Sequence, residues 1–289
     1  MILSPGVRYM LAATFLFTTM NVLVKAVPNI PAVEIVFFRS LISLLLSYVL
    51  LKRARVRVLG KQRKWLIARG SVGAVALVLF FITLQNIPLA SAVVIQFLSP
   101  IFTAIIGVFL VREPVKSWQW VFFAIAFAGI LVVQGFDSRI SPFYMGIGVV
   151  ASFCAGLAYN IIRKLGTSEH PLVVVFYFPL VTLPLTGLYC LFVEWTMPHG
   201  IEWLTLLGIG VLTQFAQVLM TMSYQAEEVS KVASLKYIGI IYALGYGWVF
   251  FDETFDVITY AGMALVLAGV VGNVIYKHRL SNQKAKQAG

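Results

Sequence analysis

The sequence repeats itself at a constant offset of 140 residues. Residues 85–129 align with residues 225–269 without a gap, and the same offset continues over almost the whole chain. Identical residues at this offset include Gly6/Gly146, Pro31/Pro171, Gly60/Gly200, Gly70/Gly210, Gln85/Gln225, Gly107/Gly247, Glu113/Glu253, Ala128/Ala268 and Gly129/Gly269. One offset of this extent predicts two homologous halves, residues 1–136 and 137–276, followed by a basic tail at residues 277–289.

The composition is that of a chain embedded in lipid. Only 11% of the residues are charged, against about 25% in a typical soluble domain, and 60% are hydrophobic. A membrane helix requires about 20 predominantly apolar residues. The segments that approach this requirement are Val7–Val27, Ala32–Leu51, Trp65–Leu84, Leu89–Val111, Ser117–Gln134, Pro142–Ile162, Pro171–Val193, Ile201–Met222, Ser230–Phe251 and Val257–Tyr276. The sequence therefore predicts an all-α membrane protein with ten transmembrane helices, five in each half.

The net charge of +11 comes from basic residues that lie beside the apolar segments. This placement indicates membrane orientation, so we expect a lipid bilayer as partner and no nucleic acid. The basic residues that fall on one side are Arg8, the seven within Lys52–Lys64, Arg112, Lys116, Arg163, Lys164, Lys277, Arg279, Lys284 and Lys286. Because such residues favour the cytoplasm, both termini are predicted to be cytoplasmic. The predicted location is a bacterial plasma (inner) membrane. With five helices per half, the second half then crosses the membrane upside down, as an inverted repeat.

Two stretches resemble those of a known family. LASAVVIQFLSPIFTAIIGVFLVREP (Leu89–Pro114) has its counterpart near the end of the second half, and PAVEIVFFRSLISLLL (Pro31–Leu46) forms the second apolar segment. In this arrangement the chain resembles the drug/metabolite transporter superfamily, and within it the EamA-type exporters and permeases, over essentially its full length. The resemblance implies a central cavity lined by spans 1–4 and 6–9, with spans 5 and 10 at the periphery. It also implies a small-molecule substrate, such as an amino acid, a nucleoside, a vitamin, S-adenosylmethionine or a xenobiotic.

Two cations stand well inside predicted helices. Arg39 lies about seven residues into the second apolar segment, roughly 10 Å from its end at 1.5 Å per residue, and Lys236 lies at a similar depth in the ninth. Charges at such depth are costly in lipid, so they normally face a cavity or a partner. Both are candidates to bind a substrate carboxylate or phosphate, although Arg39 could instead pair with Glu34 or with helix C-terminal carbonyls. The residue 140 positions before Lys236, which we call its repeat mate, is the neutral Gln96. This difference between the halves favours substrate recognition at Lys236.

Uncharged polar residues at comparable depth complete the predicted substrate-binding set: Asn21, Gln96, Ser99, Asn160, Gln214, Gln217 and Tyr237. Gln214 and Gln217 share a helix face, as do Gln96 and Ser99, because residues three apart are neighbours on a helix. The alternative for each is an interhelical hydrogen bond, worth roughly 0.6 kcal/mol on average in membranes. Glu34, near the outer end of the second segment, is a candidate for proton coupling, and an interfacial salt bridge is the plainer account.

These features predict a secondary-active transporter that carries a small metabolite by alternating access. The candidate substrates are an amino acid or a related carboxylate-bearing compound, S-adenosylmethionine included. The alternatives are a multidrug or xenobiotic exporter and a channel-like facilitator. An enzyme is not expected, because the three histidines fall in loops or tails and neither paired intramembrane carboxylates nor HExxH spacing occurs. No cofactor or metal is expected, and the protein is predicted to be a monomer or a homodimer.

Overall fold

The computed structural model describes residues 4–112, 116–136, 139–192, 195–227 and 234–287. Within these ranges the chain forms eleven α-helices and two short 3-10 helices, and no β-strand. The α-helices are α1 (Pro5–Lys25), α2 (Ala32–Arg53), α3 (Arg63–Asn86), α4 (Leu89–Gln96), α5 (Ser99–Leu110), α6 (Ser117–Phe136), α7 (Pro142–Leu165), α8 (Pro171–Cys190), α9 (Ile201–Ala226), α10 (Ile238–Phe251) and α11 (Val257–Gln287). The 3-10 helices are Gly166–Ser168 and Ser234–Tyr237. The all-α prediction is confirmed for the part of the chain that the structure describes.

Seven helical segments are long and apolar enough to cross a membrane. They are Pro5–Lys25, Ala32–Arg53, Arg63–Asn86, Leu89–Leu110, Pro142–Ser168, Pro171–Cys190 and Ile201–Ala226. Three further apolar helices are shorter, at Ser117–Val132, Ile238–Phe251 and Val257–Asn273. The seven long segments make this a multi-pass membrane protein. The start of the predicted ninth span, Ser230, lies outside the described residues, and α11 continues past the predicted tenth span to Gln287.

The fourth predicted span, Leu89–Val111, is interrupted in its middle. α4 ends at Gln96 and α5 begins at Ser99. Pro100 explains the break, because it has no N–H to donate to the Gln96 carbonyl and its ring clashes with the preceding turn. The corresponding stretch of the second half is also irregular, since Lys236 lies in the 3-10 helix that precedes α10. At this repeat position the first half has a break between two α-helices, and the second half has a 3-10 turn immediately before α10.

The two halves make equivalent contacts. α1 packs against α9, and the helices at the equivalent repeat positions, α7 and α3, pack against each other. Two other helices pack directly on their own repeat mates, α2 on α8 and α6 on α11. The side-chain amide of Gln85 donates to the Ile30 carbonyl at 2.8 Å. Its repeat mate Gln225 donates to the carbonyls of Gly166 and Glu169 at 2.7 and 3.0 Å. In each half this amide therefore holds the loop that follows the first helix of that half.

Glycines bring α6 and α11 close together. A Cβ added at Gly129 would lie 2.7 Å from the Gly262 carbonyl oxygen. A Cβ added at its repeat mate, Gly269, would lie 2.6 Å from the Phe122 carbonyl oxygen. Because small residues let helix backbones approach in lipid, these two glycines account for the pairing of the two helices.

Two buried apolar clusters pack at opposite ends of α1. One contains Met10 and Ala13, together with side chains of α2, α3, α7, α8 and α9. The other contains Met20 and Val24, together with side chains of α2, α3, α4, α9 and α10. The middle of α1, residues 14–21, contributes five side chains to a cavity between these clusters.

Candidate functional site

A cavity of about 140 Å³ is lined by residues of both halves. The lining residues are Thr14, Phe17, Thr18, Met20, Asn21, Arg39, Arg69, Gly73, Ala76, Leu77, Phe80, Val93, Gln96, Phe97, Ala155, Ala158, Tyr159, Phe178, Gln217, Met220, Lys236 and Gly239. They come from α1–α4 and α7–α10, with Phe97 from the break between α4 and α5 and Lys236 from the 3-10 turn before α10. No described residue of α6 or α11 is among them, as the family resemblance implies for spans 5 and 10.

Arg39 reaches the cavity from α2 and is 1% exposed. Its Nε donates to Thr213 Oγ1 at 3.1 Å, and its Cζ lies 5.1 Å from the centroid of the Phe178 ring. Glu34, its alternative partner, instead accepts a hydrogen bond from the Thr196 backbone N–H at 3.0 Å. The partners of Arg39 in the described part of the chain are therefore a hydroxyl and an aromatic face.

Arg69 is a third cation in the cavity, and it was not among the predicted site residues. Its side chain is 2% exposed, and Nη2 donates to Gln217 Oε1 at 3.3 Å. Its Cζ lies 4.4 Å from the Phe178 ring centroid, while Nε and Nη1 have no hydrogen-bond partner among the described residues. Arg69 follows the start of α3 by about six residues, or about 9 Å, which is close to the depth of Arg39. The depth argument applied to Arg39 could therefore have found it.

Lys236 enters the cavity from the second half. Its Nζ donates to the Tyr159 hydroxyl at 2.8 Å and lies 4.4 Å from the centroid of that ring. Tyr159 in turn stacks on Tyr224, with ring centroids 5.0 Å apart. This stacking restrains the ring of Tyr159, which gives Lys236 a fixed neutral partner at the cavity wall.

Three of the uncharged candidates line the cavity: Asn21, Gln96 and Gln217. Gln217 accepts the Arg69 hydrogen bond, and Gln96 Oε1 accepts one from the Ser152 hydroxyl at 3.4 Å. Asn21 Oδ1 is buried and has no hydrogen-bond partner within the described ranges. A ligand in the cavity would therefore meet amide groups as well as cations.

The other candidates lie outside the cavity lining. Asn160 Nδ2 donates to the carbonyls of Thr103 and Gly156, each at 2.9 Å, and Gln214 Oε1 accepts from the Ser47 hydroxyl at 3.0 Å. These hydrogen bonds fit the alternative prediction for Asn160 and Gln214, in which the side chain bonds to a neighbouring helix and not to a substrate. Ser99 is buried away from the cavity, as is Glu34, whose contact with the Thr196 N–H takes the place of the expected salt bridge. The side chain of Tyr237 lies outside the described residues.

An ion pair joins the two halves at one end of α1. Lys25 Nζ lies 3.2 Å from Glu253 Oε1 and also donates to the Ile87 carbonyl at 2.8 Å. The same Glu253 oxygen accepts from the Leu89 backbone N–H at 2.7 Å, at the start of α4. A carboxylate at a helix N-terminus satisfies free N–H groups and is favoured by the helix dipole. Glu253 therefore ties the α10–α11 loop of the second half to α1 and α4 of the first.

Membrane-length helices around an internal, cation-lined cavity define a multi-pass membrane protein of the solute-transporter class. The chain belongs to the EamA-like transporter family, whose family model matches residues 4–134 and again residues 143–275. The family and its relatives indicate membrane transport of a small molecule rather than catalysis.

Relatives with names that describe a transporter align along most of the chain. The pseudopaline exporter CntI of Pseudomonas aeruginosa (strain UCBPP-PA14) is 33% identical over 273 residues, covering 93% of this chain and 96% of that protein. Solute carrier family 35 member G1 of Mus musculus is 29% identical, covering 93% of this chain and 78% of that protein. One solved crystal structure superposes with a TM-score of 0.75 over 95% of this chain and 98% of the other, at 18% identity. That likeness concerns the fold alone.

Proposed function

We propose that this protein is a secondary-active transporter that moves a small carboxylate-bearing metabolite across the bacterial inner membrane by alternating access. The observation that carries the proposal is the cavity between the halves, which Arg39, Arg69 and Lys236 line without a carboxylate partner among the described residues. In proteins within lipid, ionisable groups that face an internal cavity mark substrate pathways. An anionic substrate supplies the counter-charge.

The chemistry of the three cations suits carboxylate recognition. Arginine presents its N–H groups as a planar fork that matches the two oxygens of a carboxylate, whereas lysine acts as a point charge with three donors. Arg69 has two N–H positions without a described partner, and Lys236 spends one of its donors on Tyr159. The amides of Asn21 and Gln96 can bind the remaining polar groups of an amino-acid-like substrate.

We propose ten transmembrane helices arranged as two inverted five-helix halves, with both termini in the cytoplasm. The equivalent contacts of Gln85 and Gln225 support this architecture. The departure from α-helix at equivalent positions, after Gln96 in the first half and in the 3-10 turn that contains Lys236 in the second, supports it as well. Inverted-repeat transporters place broken helices of the two halves around a substrate site near the membrane midplane. The collection of basic residues on one side supports the orientation.

Cysteine labelling tests the inversion. In a Cys154→Ser/Cys190→Ser background, we expect Lys61→Cys and Ile201→Cys to react with a membrane-impermeant maleimide from opposite sides of the membrane. The two positions differ by the repeat offset, and both side chains are exposed. Labelling in intact cells and in inverted vesicles measures the side of each. Reaction of both cysteines from one side would contradict the inverted repeat.

The similarity to a pseudopaline exporter supports export as the direction of transport. The apolar part of the wall, including Phe17, Phe80 and Phe178, also suits an exporter of xenobiotics, which is the second candidate function. A thermal-shift screen of the purified protein against organic acids, amino acids, nucleosides and lipophilic cations separates the two. We expect carboxylates to stabilise the fold, by about 2.7 kcal/mol at a concentration of 100 Kd. Stabilisation by lipophilic cations alone would contradict a carboxylate substrate.

A further inference from the structure

The three cationic side chains of the cavity have no acidic counterpart among the described lining residues. The buried acidic side chains, Glu34, Glu169 and Glu253, accept hydrogen bonds from backbone N–H groups in loops or at helix starts, outside the lining. The other described acidic residues lie in exposed loops or at the ends of α9. Residues 113, 137, 194 and 228, the remaining acidic positions, fall between the apolar segments of the sequence.

The protein partners of these cations are neutral. Their hydrogen bonds go to Thr213, Gln217 and Tyr159, and the aromatic face of Phe178 covers both guanidinium groups. Removing a charge from water without an opposite charge costs several kcal/mol per ion. Arg69 in addition is 2% exposed with two N–H positions unpartnered within the described ranges. A bound anion is the group that completes this arrangement.

The cations form two anchors that belong to different halves. The Cζ atoms of Arg39 and Arg69, both from the first half, lie 5.1 and 4.4 Å from the centroid of the same Phe178 ring. The two Cζ atoms are therefore no farther apart than the sum of these distances. Lys236, from the second half, forms the other anchor on Tyr159. A single carboxylate forms a bidentate pair with one guanidinium and supplies one negative charge. It therefore leaves two of the three cations without a counter-charge.

We infer that the cavity takes a substrate with at least two carboxylates, one held by the arginine anchor of the first half and another by Lys236 of the second. This inference rests on the proposed function, because it assigns the cavity to the transported substrate. A substrate that joins the two anchors also neutralises the repulsion between the halves. Closure of the halves around the cavity then depends on the substrate carrying charge at both ends.

The charge balance separates this class from other metabolites. A zwitterionic amino acid is neutral overall and leaves the three positive charges of the cavity uncompensated. S-adenosylmethionine has a sulfonium and an ammonium beside its single carboxylate, so it adds positive charge. A phosphate dianion carries both negative charges on one phosphorus, whereas the three cations come from three separate helices of the two halves, so separate carboxylates can pair with them individually.

A series of probes on one carbon chain tests the inference. Propane-1,2,3-tricarboxylate, propane-1,3-dicarboxylate and propane-1-carboxylate differ only in the number of carboxylates. We expect their affinities for the purified full-length protein, measured by isothermal titration calorimetry at low salt, to fall in that order by roughly tenfold or more per carboxylate lost. Propyl phosphate and S-adenosylmethionine complete the series and are expected to bind more weakly than the dicarboxylate.

Substitutions at Arg69 link the order of affinities to the cavity. Arg69→Gln is expected to weaken tricarboxylate binding by at least tenfold, whereas Arg69→Lys, which keeps the charge, retains the order of the series. Arg63→Gln is the matched control on the same helix, because Arg63 is exposed and lies outside the cavity lining. Its affinities should equal those of the wild type. Should Arg69→Gln not fold, Arg69→Lys and the wild-type series still decide the outcome.

Three results overturn the inference. The first is equal binding of the mono-, di- and tricarboxylate. If the monocarboxylate is also transported, the proposed function is supported, but the requirement for at least two carboxylates is wrong. The second is tighter binding of propyl phosphate or S-adenosylmethionine than of the dicarboxylate. The third is the absence of saturable binding throughout the series. If the thermal-shift screen then finds a neutral or cationic ligand, the proposed transport of a carboxylate is contradicted as well.

Discussion

Lys236→Met is expected to slow transport of the carboxylate substrate by about 10- to 100-fold, because a hydrogen bond to a charged group contributes about 1.5–3 kcal/mol. Methionine keeps the length and apolar stem of lysine but has no ammonium group for a substrate carboxylate. Initial uptake rates in proteoliposomes, with the carboxylate that the thermal-shift screen identifies, measure the effect. Lys236→Arg keeps the charge and should retain most of the activity.

The control for this substitution is Lys61→Met. Lys61 lies in the exposed loop between α2 and α3, outside the cavity, so its replacement removes the same charge without touching the site. Its uptake rate should match the wild type. If Lys236→Met transports as fast as Lys61→Met, Lys236 has no part in substrate binding, and the asymmetry between positions 96 and 236 needs another explanation.

Glu253→Gln is expected to lower the free energy of unfolding by about 3 kcal/mol. Glutamine keeps an oxygen that can accept from the Leu89 N–H, but it leaves the Lys25 ammonium without its carboxylate. Breaking a buried ion pair by removing one partner typically costs about 3–5 kcal/mol, and the lower end applies here because the Lys25 side chain is 17% exposed. Denaturant titration in mixed micelles measures the change, with Asp252→Asn as an exposed neighbouring control.

A double-mutant cycle separates the ion pair from the rest of the effect. Lys25→Met/Glu253→Gln removes both charges, so it should recover most of the stability lost in Glu253→Gln. Additive losses in the double variant, or a Glu253→Gln protein as stable as Asp252→Asn, would contradict the ion pair as a tie between the halves.

Hydropathy alone predicted most of the helices, because membrane helices are long uninterrupted apolar segments. The predicted third span, Trp65–Leu84, differs from α3 by only two residues at each end. The break between α4 and α5 was missed for the same reason. The residues around Pro100 are as apolar as their neighbours, and hydropathy does not register a lost backbone hydrogen bond. The irregular turn at Lys236 has no proline and no signal of this kind.

The candidate site was predicted in part. Burial depth identified Arg39 and Lys236, and both line the cavity. Arg69 was overlooked because it closely follows the basic stretch that ends at Lys64, which was interpreted as an orientation signal. Gln214 and Gln217 were both predicted to bind substrate from a shared helix face. Only Gln217 lines the cavity, since residues three apart still differ by about 60° around a helix. Sequence spacing does not specify which of two such neighbours faces a neighbouring helix.

Substrate exchange in proteoliposomes tests the central claim most directly. Vesicles loaded with the unlabelled carboxylate should take up the labelled compound faster than empty vesicles, with a rate that saturates and that Lys236→Met largely removes. This result is expected because alternating access through one cavity lets a returning substrate reset the binding site. Uptake that rises linearly with concentration, without stimulation by internal substrate and unchanged in Lys236→Met, would contradict a cation-lined site exposed to each side in turn.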